Sequence, residues 1–320
     1  MTPERARVPE RVGAVVNPTA GSGRGVALLG ELVAAFEGTT VRARITGGPD
    51  EAPAAARALA PESDLLVAVG GDGTVREVAD ALVSCDADGG DTPPLFVVPA
   101  GRGNSTYRHW YGERPWRAVA AALADGTRPV AVDVGTVESP SDLDARFVLG
   151  FSVGVFGRAL AAATALGRLP GPLALPGPLA YTLGTGYGTL VEPPFAVEIE
   201  RSGERCFAGA ARLVAVGGGR YRGGTTPLLP DARPTDGRLH LLVVEPVGLR
   251  ELPTLCRLAR TGDHPRHPAV HYYRGKAFDL RAPGGVGAEI DGTPIDDRPD
   301  DVGLTVLPEA LWVAVPASTA

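Results

Sequence analysis

Residues 65–82, LLVAVGGDGTVREVADAL, constrain the fold more than any other stretch of the 320-residue chain. Leu65 to Val69 is an unbroken apolar run with Ser63 and Asp64 before it and Gly70 and Gly71 after it, the pattern of a strand buried on both faces of a parallel sheet. Beyond the glycines, Val75, Val78, Ala79 and Leu82 recur at helical spacing, so a helix is predicted to begin near Thr74. The glycines therefore fall at a strand-to-helix turn. A backbone without side chains can approach a ligand closely there, and the helix start presents unpaired N–H groups and the positive end of its dipole. Phosphate is the natural occupant of such a turn. Asp72, set among the glycines, repels that occupant unless it holds a magnesium ion or takes a proton, which points to chemistry as well as binding. A helix-capping role for Asp72 and Thr74 is the alternative this stretch leaves open.

The same rhythm runs from residue 12 to residue 127. VGAVVNP, VRARI and PLFVVPAG read as further strands, and residues 25–36, 50–59 and 116–124 as helices. Short strands separated by helices imply right-handed crossovers and a parallel sheet covered on both faces. Ligands of such sheets lie beyond the carboxyl ends of the strands, where NPTAGSGRG, TGGPDE, GGDGT and PAGRGNS all fall.

After Gly126 the rhythm becomes all strand: VAVDVGTV, ARFVLGFSV, FAVEIER, ARLVAVG, RLHLLVVEP, AVHYY, KAFDLRA, VGAEIDG, GLTVLP and LWVAVP, divided by Pro and Gly turns. The predicted organisation is an α/β domain over residues 10–127 and a β-sandwich over 128–320, whose last residues are allowed to return to the first domain. Helices are predicted near 157–166 and 249–260, with a cleft between the halves. LPGPLA occurs in tandem at 169–174 and 175–180; its prolines forbid a regular helix, leaving a lid, a lipid-facing loop or a plain packing segment.

Composition excludes several classes. An apolar content of 44% supplies two cores, and a net charge of −6 argues against a general nucleic-acid binder. Cys85, Cys206 and Cys256 are isolated, odd in number and without metal-ligand spacing, which suits a reducing, cytoplasmic compartment. The amino terminus lacks the apolar core of a signal peptide, and no stretch reaches the ~18 uninterrupted apolar residues of a membrane span.

Five segments in order, VVNPTAGSG, GGDGTVREV, PAGRGN, YRGG…LLPDARPTDGRLHLLVV and EIDGTPI, resemble the diacylglycerol kinase catalytic-domain family, which includes bacterial lipid kinases and sphingosine kinases. GGDGT by itself is shared with NAD kinases. The resemblance implies an α/β nucleotide-binding domain followed by a β-sandwich, and transfer of the γ-phosphoryl group of ATP to a lipid hydroxyl with Mg2+. Carried over by position, Asn17 and Thr46 lie beside the nucleotide, and Gly70, Gly71, Asp72, Gly73, Thr74, Val75 and Arg76 wrap its phosphates, while Gly101 and Asn104 close the site. Asp236, with the carbonyls of Arg233 and Arg238, matches a structural magnesium site, and Asp72 and Asp291 match acidic positions essential to catalysis. A lipid substrate at a membrane surface, peripheral contact with that membrane from the cytoplasm and a homodimer are the partners this implies.

The chain departs from the family pattern in three places. Thr293 stands where the family has a glutamate assigned as proton acceptor, Arg102 where it has a threonine, and Arg76 where a small residue and an asparagine usually follow GGDGT. Asp291, Glu289 or Asp72 are candidates to replace the missing acid. Arg76 and Arg102 either clamp the triphosphate with forked donors, fill the pocket, or point to solvent. Two alternative functions follow: a kinase-fold protein that binds nucleotide with little or no turnover, and a soluble kinase such as one acting on NAD. His109 in YRHWYG reads as part of a packed elbow, HPRHP as a turn, and Asp133 as a ligand of loop amides.

Overall fold

The apolar runs of the first hundred residues become parallel strands: β1 (Arg11–Val16), β2 (Thr40–Ile45), β3 (Leu65–Gly70) and β4 (Leu95–Pro99), in the order β2-β1-β3-β4. The coordinates are a computed structural model describing residues 7–48, 51–87, 89, 92–155, 193–248, 250–296 and 298–317. Between the strands run α1 (Ala20–Gly23), α2 (Gly25–Ala35), α3 (Glu51–Leu59) and α4 (Asp72–Ala87), and after β4 come α5 (Ser105–Tyr111) and α6 (Trp116–Asp125). All six residues of β3 are buried, as an uninterrupted apolar run requires when helices cover both faces of a sheet. β2 behaves differently. It is the edge strand, and only Val41 of TVRARI is partly withdrawn from solvent.

The chain divides into two units, one of Met1–Val132 with Glu309–Ala320 and one of Asp133–Pro308. The second contains, in chain order, the second half of β5 (Thr127–Glu138), β6 (Asp144–Phe147), β7 (Phe151–Gly154), β8 (Phe195–Arg201), β9 (Glu204–Ala211), β10 (Leu213–Gly217), β11 (Leu239–Val244), α7 (Leu252–Thr261), β12 (Val270–Gly275), β13 (Ala277–Arg281), β14 (Ala288–Ile290), β15 (Thr293–Ile295) and the first half of β16 (Asp301–Pro316). One of its sheets runs β12-β11-β10-β7-β14-β15; the other joins β16, β13, β8 and β9. Side chains from both, among them Phe147, Phe151, Ile199, Val216, Leu241, Phe278 and Leu304, form one buried core, which makes this unit a β-sandwich. The outer face of the six-stranded sheet is covered by α7 through Leu255 and by the segment holding Leu228, Leu229 and Ala232.

Three differences from the sequence reading have physical causes. ARFVLGFSV is two strands, not one, because the amides of Val148, Leu149 and Gly150 turn toward the carboxylate of Asp291 instead of pairing along a ladder. GLTVLP and LWVAVP are one 16-residue strand, β16, in which Pro308 is passed by a local distortion that puts Glu309 at φ 54°. Its far end returns to the first unit, where Val313 pairs in parallel with Leu95. The short helix α5 and the strands β9 and β15 had no strong periodic signal. The helix predicted near 249–260 is α7; the helix near 157–166 and the tandem LPGPLA lie outside the described residues.

Gly135 on β5 faces Phe147 on β6, and a Cβ at Gly135 would lie 1.9 Å from the Phe147 ring, which is itself in the core. Gly135→Ala should therefore lower stability by about 1–3 kcal/mol through overpacking. Gly30, on α2 with open space around it, is the control: Gly30→Ala should raise stability by about 0.5–1 kcal/mol. Urea denaturation midpoints of the two variants decide both.

Candidate functional site

At the carboxyl ends of β1, β3 and β4, two glycine turns meet backbone to backbone. A Cβ placed on Gly101 would come 2.5 Å from the Cα of Gly71, and one on Gly71 would come 3.2 Å from the Cα of Gly101. Asn104 clasps the second turn: held at φ 54°, it accepts the Gly101 N–H on Oδ1 at 2.8 Å and donates from Nδ2 to the Gly101 carbonyl at 2.9 Å. Asn17, one residue past β1, donates from Nδ2 to Thr74 Oγ1 at 3.0 Å, while its Oδ1 accepts from the Thr19 amide and hydroxyl. Thr46, at the end of β2, is buried and bonds Val16 O through its amide and its hydroxyl. Around these groups lies a cavity of about 500 Å³ lined by Asn17, Thr46, Gly71, Gly73, Thr74 and Gly101. A larger one, about 1180 Å³, lies at the opposite ends of the strands beside Arg11, Asp64 and Pro94, away from the glycine turns. The smaller cavity has the position that ligands of parallel α/β sheets occupy.

Asp72 opens α4, and its carboxylate is bound by another helix. Oδ2 accepts the Ser105 N–H at 3.1 Å and Oδ1 the Thr106 N–H at 2.8 Å, so Asp72 caps the first turn of α5. Negative charge is favoured at that end of a helix, and the two bonds fix the carboxylate against the glycine turns. Asp72 thus caps α5, a helix the sequence reading did not include, and not α4, the helix for which its own stretch left a capping role open. The sequence carries only a weak sign of α5, Tyr107 and Tyr111 at helical spacing; both tyrosines are buried, and Tyr111 donates its hydroxyl to Ala314 O at 3.0 Å. His109 lies on this packed helix.

Among the other predicted contacts, Val75 is buried and can offer only its backbone, whereas Arg76 is half-buried with Nε unpartnered among the described residues. Arg102 is exposed. Glu77 lines the cavity and was missed, because one carboxylate on a helix start looks like any solvated charge.

Asp291 belongs to the second unit. With Gly292 it forms the turn between β14 and β15, both residues at positive φ (49° and 80°), as a two-residue hairpin turn requires. Its Oδ2 accepts the Val148 N–H at 2.7 Å and its Oδ1 those of Leu149 and Gly150 at 2.8 and 2.7 Å. Glu289 lies opposite Ser152 across the β14–β7 ladder and is buried. Burial pushes its carboxyl above the usual carboxylate range, although the nearby Arg222 pulls the other way. Its oxygens are bonded by the Ser152 hydroxyl and the Gly292 amide. Asp291 and Glu289 are both buried as well as hydrogen-bonded, whereas Thr293, where the family has an acid, is exposed.

The residues carried over as a magnesium site are only partly prepared for a cation. Asp236 Oδ1 accepts the Arg238 N–H at 3.1 Å, and Oδ2 is paired at 2.8 Å with Nε2 of buried His240, whose Nδ1 is 3.0 Å from the Tyr272 hydroxyl. The donors are hard oxygens, as magnesium prefers, but the carboxylate is already committed to its neighbours. Asp133 holds the same loop by accepting the Gly237 N–H at 2.6 Å, and its own amide donates to Pro234 O at 2.7 Å. Among the described residues no cluster of three or more His, Cys, Asp or Glu side chains could hold a metal ion.

Removing the carboxylate that caps α5 should have a local cost. Asp72→Ala is expected to lower stability by about 1–2 kcal/mol. Amide exchange should quicken first at Ser105 and Thr106; exchange that quickens uniformly along the chain would contradict the capping role.

Comparison with known proteins agrees with this architecture. The profile of the diacylglycerol kinase catalytic domain matches residues 11–137, and that of the YegS C-terminal NAD kinase beta sandwich-like domain matches residues 158–315. A protein named diacylglycerol kinase from Staphylococcus epidermidis is 30% identical over 240 residues, 74% of this chain and 70% of the relative. One from Staphylococcus saprophyticus subsp. saprophyticus is 29% identical over 245 residues, 76% of this chain and 74% of the relative. The crystal structure of a diacylglycerol kinase from Bacillus anthracis str. Sterne superimposes with a TM-score of 0.67 at 20% identity, covering 97% of this chain and 98% of the other, which speaks for the fold. With two family profiles matched in succession, and a 30% identical relative spanned over most of its length, the chain belongs to the diacylglycerol kinase family.

Proposed function

We propose that this protein transfers the γ-phosphoryl group of ATP to the hydroxyl of diacylglycerol or a related glycerolipid, working as a peripheral enzyme at a membrane surface. The observation that carries the reading is the contact of Gly71 with Gly101, which lines the 500 Å³ cavity with main chain where side chains would otherwise stand. Phosphoryl transfer through a loose transition state needs alignment and neutralised charge more than covalent help, and glycine-turn amides at the start of a 16-residue helix suit that need. Magnesium would accompany the phosphates of the nucleotide, as it commonly does. Asp72 is held by two amides and keeps further lone pairs for the proton of the acceptor hydroxyl or for a bound water. Among the described residues no helix is long and apolar enough to cross a membrane.

A second reading has a specific observation behind it. With Thr293 in place of the usual acid, and with Asp291 and Glu289 engaged by amides and a hydroxyl, the second unit offers no unengaged carboxylate at this turn, which favours nucleotide binding without turnover.

Incubation of the purified protein with γ-labelled ATP, magnesium and a total lipid extract, followed by chromatography, separates the two. The kinase reading expects a labelled lipid, with the rate lowered about 10²–10⁴-fold in Asp72→Asn. ATP binding by calorimetry with no labelled lipid supports the second reading, and labelling of added NAD instead would point to a soluble kinase. Gly101→Ala, which drives a methyl against the Gly71 backbone, should weaken ATP binding about tenfold or more, equivalent to about 1.4 kcal/mol.

A further inference from the structure

The second unit contains a buried charge pair that the chemistry above does not use. Arg222 is 3% exposed and Glu289 2%, and Arg222 Nε stands 3.9 Å from Glu289 Oε1. Withdrawing a guanidinium from water is costly unless its N–H groups are met. Here Nη1 donates to Tyr221 O at 3.1 Å, while Nε and Nη2 have no hydrogen-bond partner among the described residues. Well-packed apolar side chains would fill the same space at least as favourably, so stability is a poor reason for this pair.

What the pair touches suggests a better one. Glu289 Oε2 accepts the Gly292 N–H, while Oε1 accepts the Ser152 hydroxyl. Arg222 Nη2 lies against Gly150, so closely that a Cβ there would come within 2.3 Å of it. Gly150 in turn donates to Asp291 Oδ1 at 2.7 Å and accepts the Asp291 N–H at 2.9 Å. One guanidinium therefore backs both sides of the Asp291–Gly292 turn: Gly292 through Glu289, and Asp291 through Gly150.

We propose that Arg222 is a positioning residue that, through Glu289 and Gly150, fixes the turn carrying Asp291, Gly292 and Thr293, and so sets the turnover rate of the phosphoryl transfer. The proposal rests on the kinase reading above. Without Arg222, Glu289 is a carboxylate in a dry site with no counter-charge; it takes up a proton and loosens its hold on the Gly292 amide. The turn then keeps its sequence and loses its fixed position.

The test compares wild type with Arg222→Met, Arg222→Lys and the double variant Arg222→Met/Glu289→Gln. Amide exchange is followed at Gly150 and Gly292, and kcat and KM for ATP are measured with diacylglycerol vesicles. In Arg222→Met, exchange at both glycines should quicken about tenfold or more. Its kcat should fall about 10- to 100-fold while KM for ATP stays within about twofold. The double variant replaces the stranded acid by its neutral isostere, so if Glu289 takes up a proton in Arg222→Met the two variants should agree in exchange and in kcat to within about threefold. Arg222→Lys keeps the charge without the fork; it should fall between Met and wild type, and it stands in if Arg222→Met does not fold. Exchange at Gly150 and Gly292 that stays at the wild-type rate in the folded variants overturns the proposal, as does an unchanged kcat or a double variant as fast as wild type. If wild-type protein labels no lipid, the kinase reading fails and the turnover claim with it, while the exchange arm still decides whether Arg222 holds the turn.

Discussion

The contact between Gly71 and Gly101 is the constraint on which the first unit's site depends. Two turns from adjacent parallel strands can share a surface only if neither carries a side chain at the point of contact. At 2.5 Å between a hypothetical Gly101 Cβ and the Gly71 Cα, no other residue at 101 fits without moving the backbone. The rest follows from that closeness. Asn104 must fold back to satisfy the Gly101 peptide, which places it in the left-handed region, and its own position starts α5. The start of α5 then provides the amides that hold Asp72 beside the same turns. Sheet spacing, one asparagine and a seven-residue helix thus locate a carboxylate to within hydrogen-bond tolerance.

Both units use a carboxylate in the same physical way. Asp72 gathers two amides of a helix start, and Asp291 gathers three amides of a broken strand. In each case negative charge is met by main-chain dipoles, which stay in place because the secondary structure holds them. The difference lies in what remains. Asp72 is partly accessible and shares its surroundings with a cavity lined by glycine; Asp291 is 3% exposed and closed in by the loop it organises.

The strand-to-helix turn at 70–74 was legible because its pattern is local: a buried strand, glycines, then helical periodicity. So was the change from alternating strands and helices to strands alone, since period and punctuation report it directly. Less legible were features whose cause lies far along the chain. The break in ARFVLGFSV needs Asp291, more than 140 residues away, and the union of GLTVLP with LWVAVP needs neighbouring strands to carry the chain past Pro308. The residues carried over to the nucleotide site, Asn17, Thr46, Gly71, Thr74, Gly101 and Asn104, lie together at one end of one sheet, as motif order suggested; the exposed side chain of Arg102 and the tethered carboxylate of Asp236 were beyond it.

By itself, then, the sequence determined most of the strands and helices of the first half, the succession of an α/β half and a β half, and the end of the first sheet where a ligand would sit, because each depends on spacing between near neighbours; the family resemblance came from five motifs in order along the chain. Only the tertiary structure decided which partners the acids have. Asp72 is taken by α5, Asp291 by the 148–150 amides, Asp236 by His240, and Glu289 by Ser152, Gly292 and Arg222. A carboxylate written in a sequence carries no mark of whether it will meet water, a metal or a backbone amide. That choice is made by which distant segment the packing brings within about 3 Å of its oxygens.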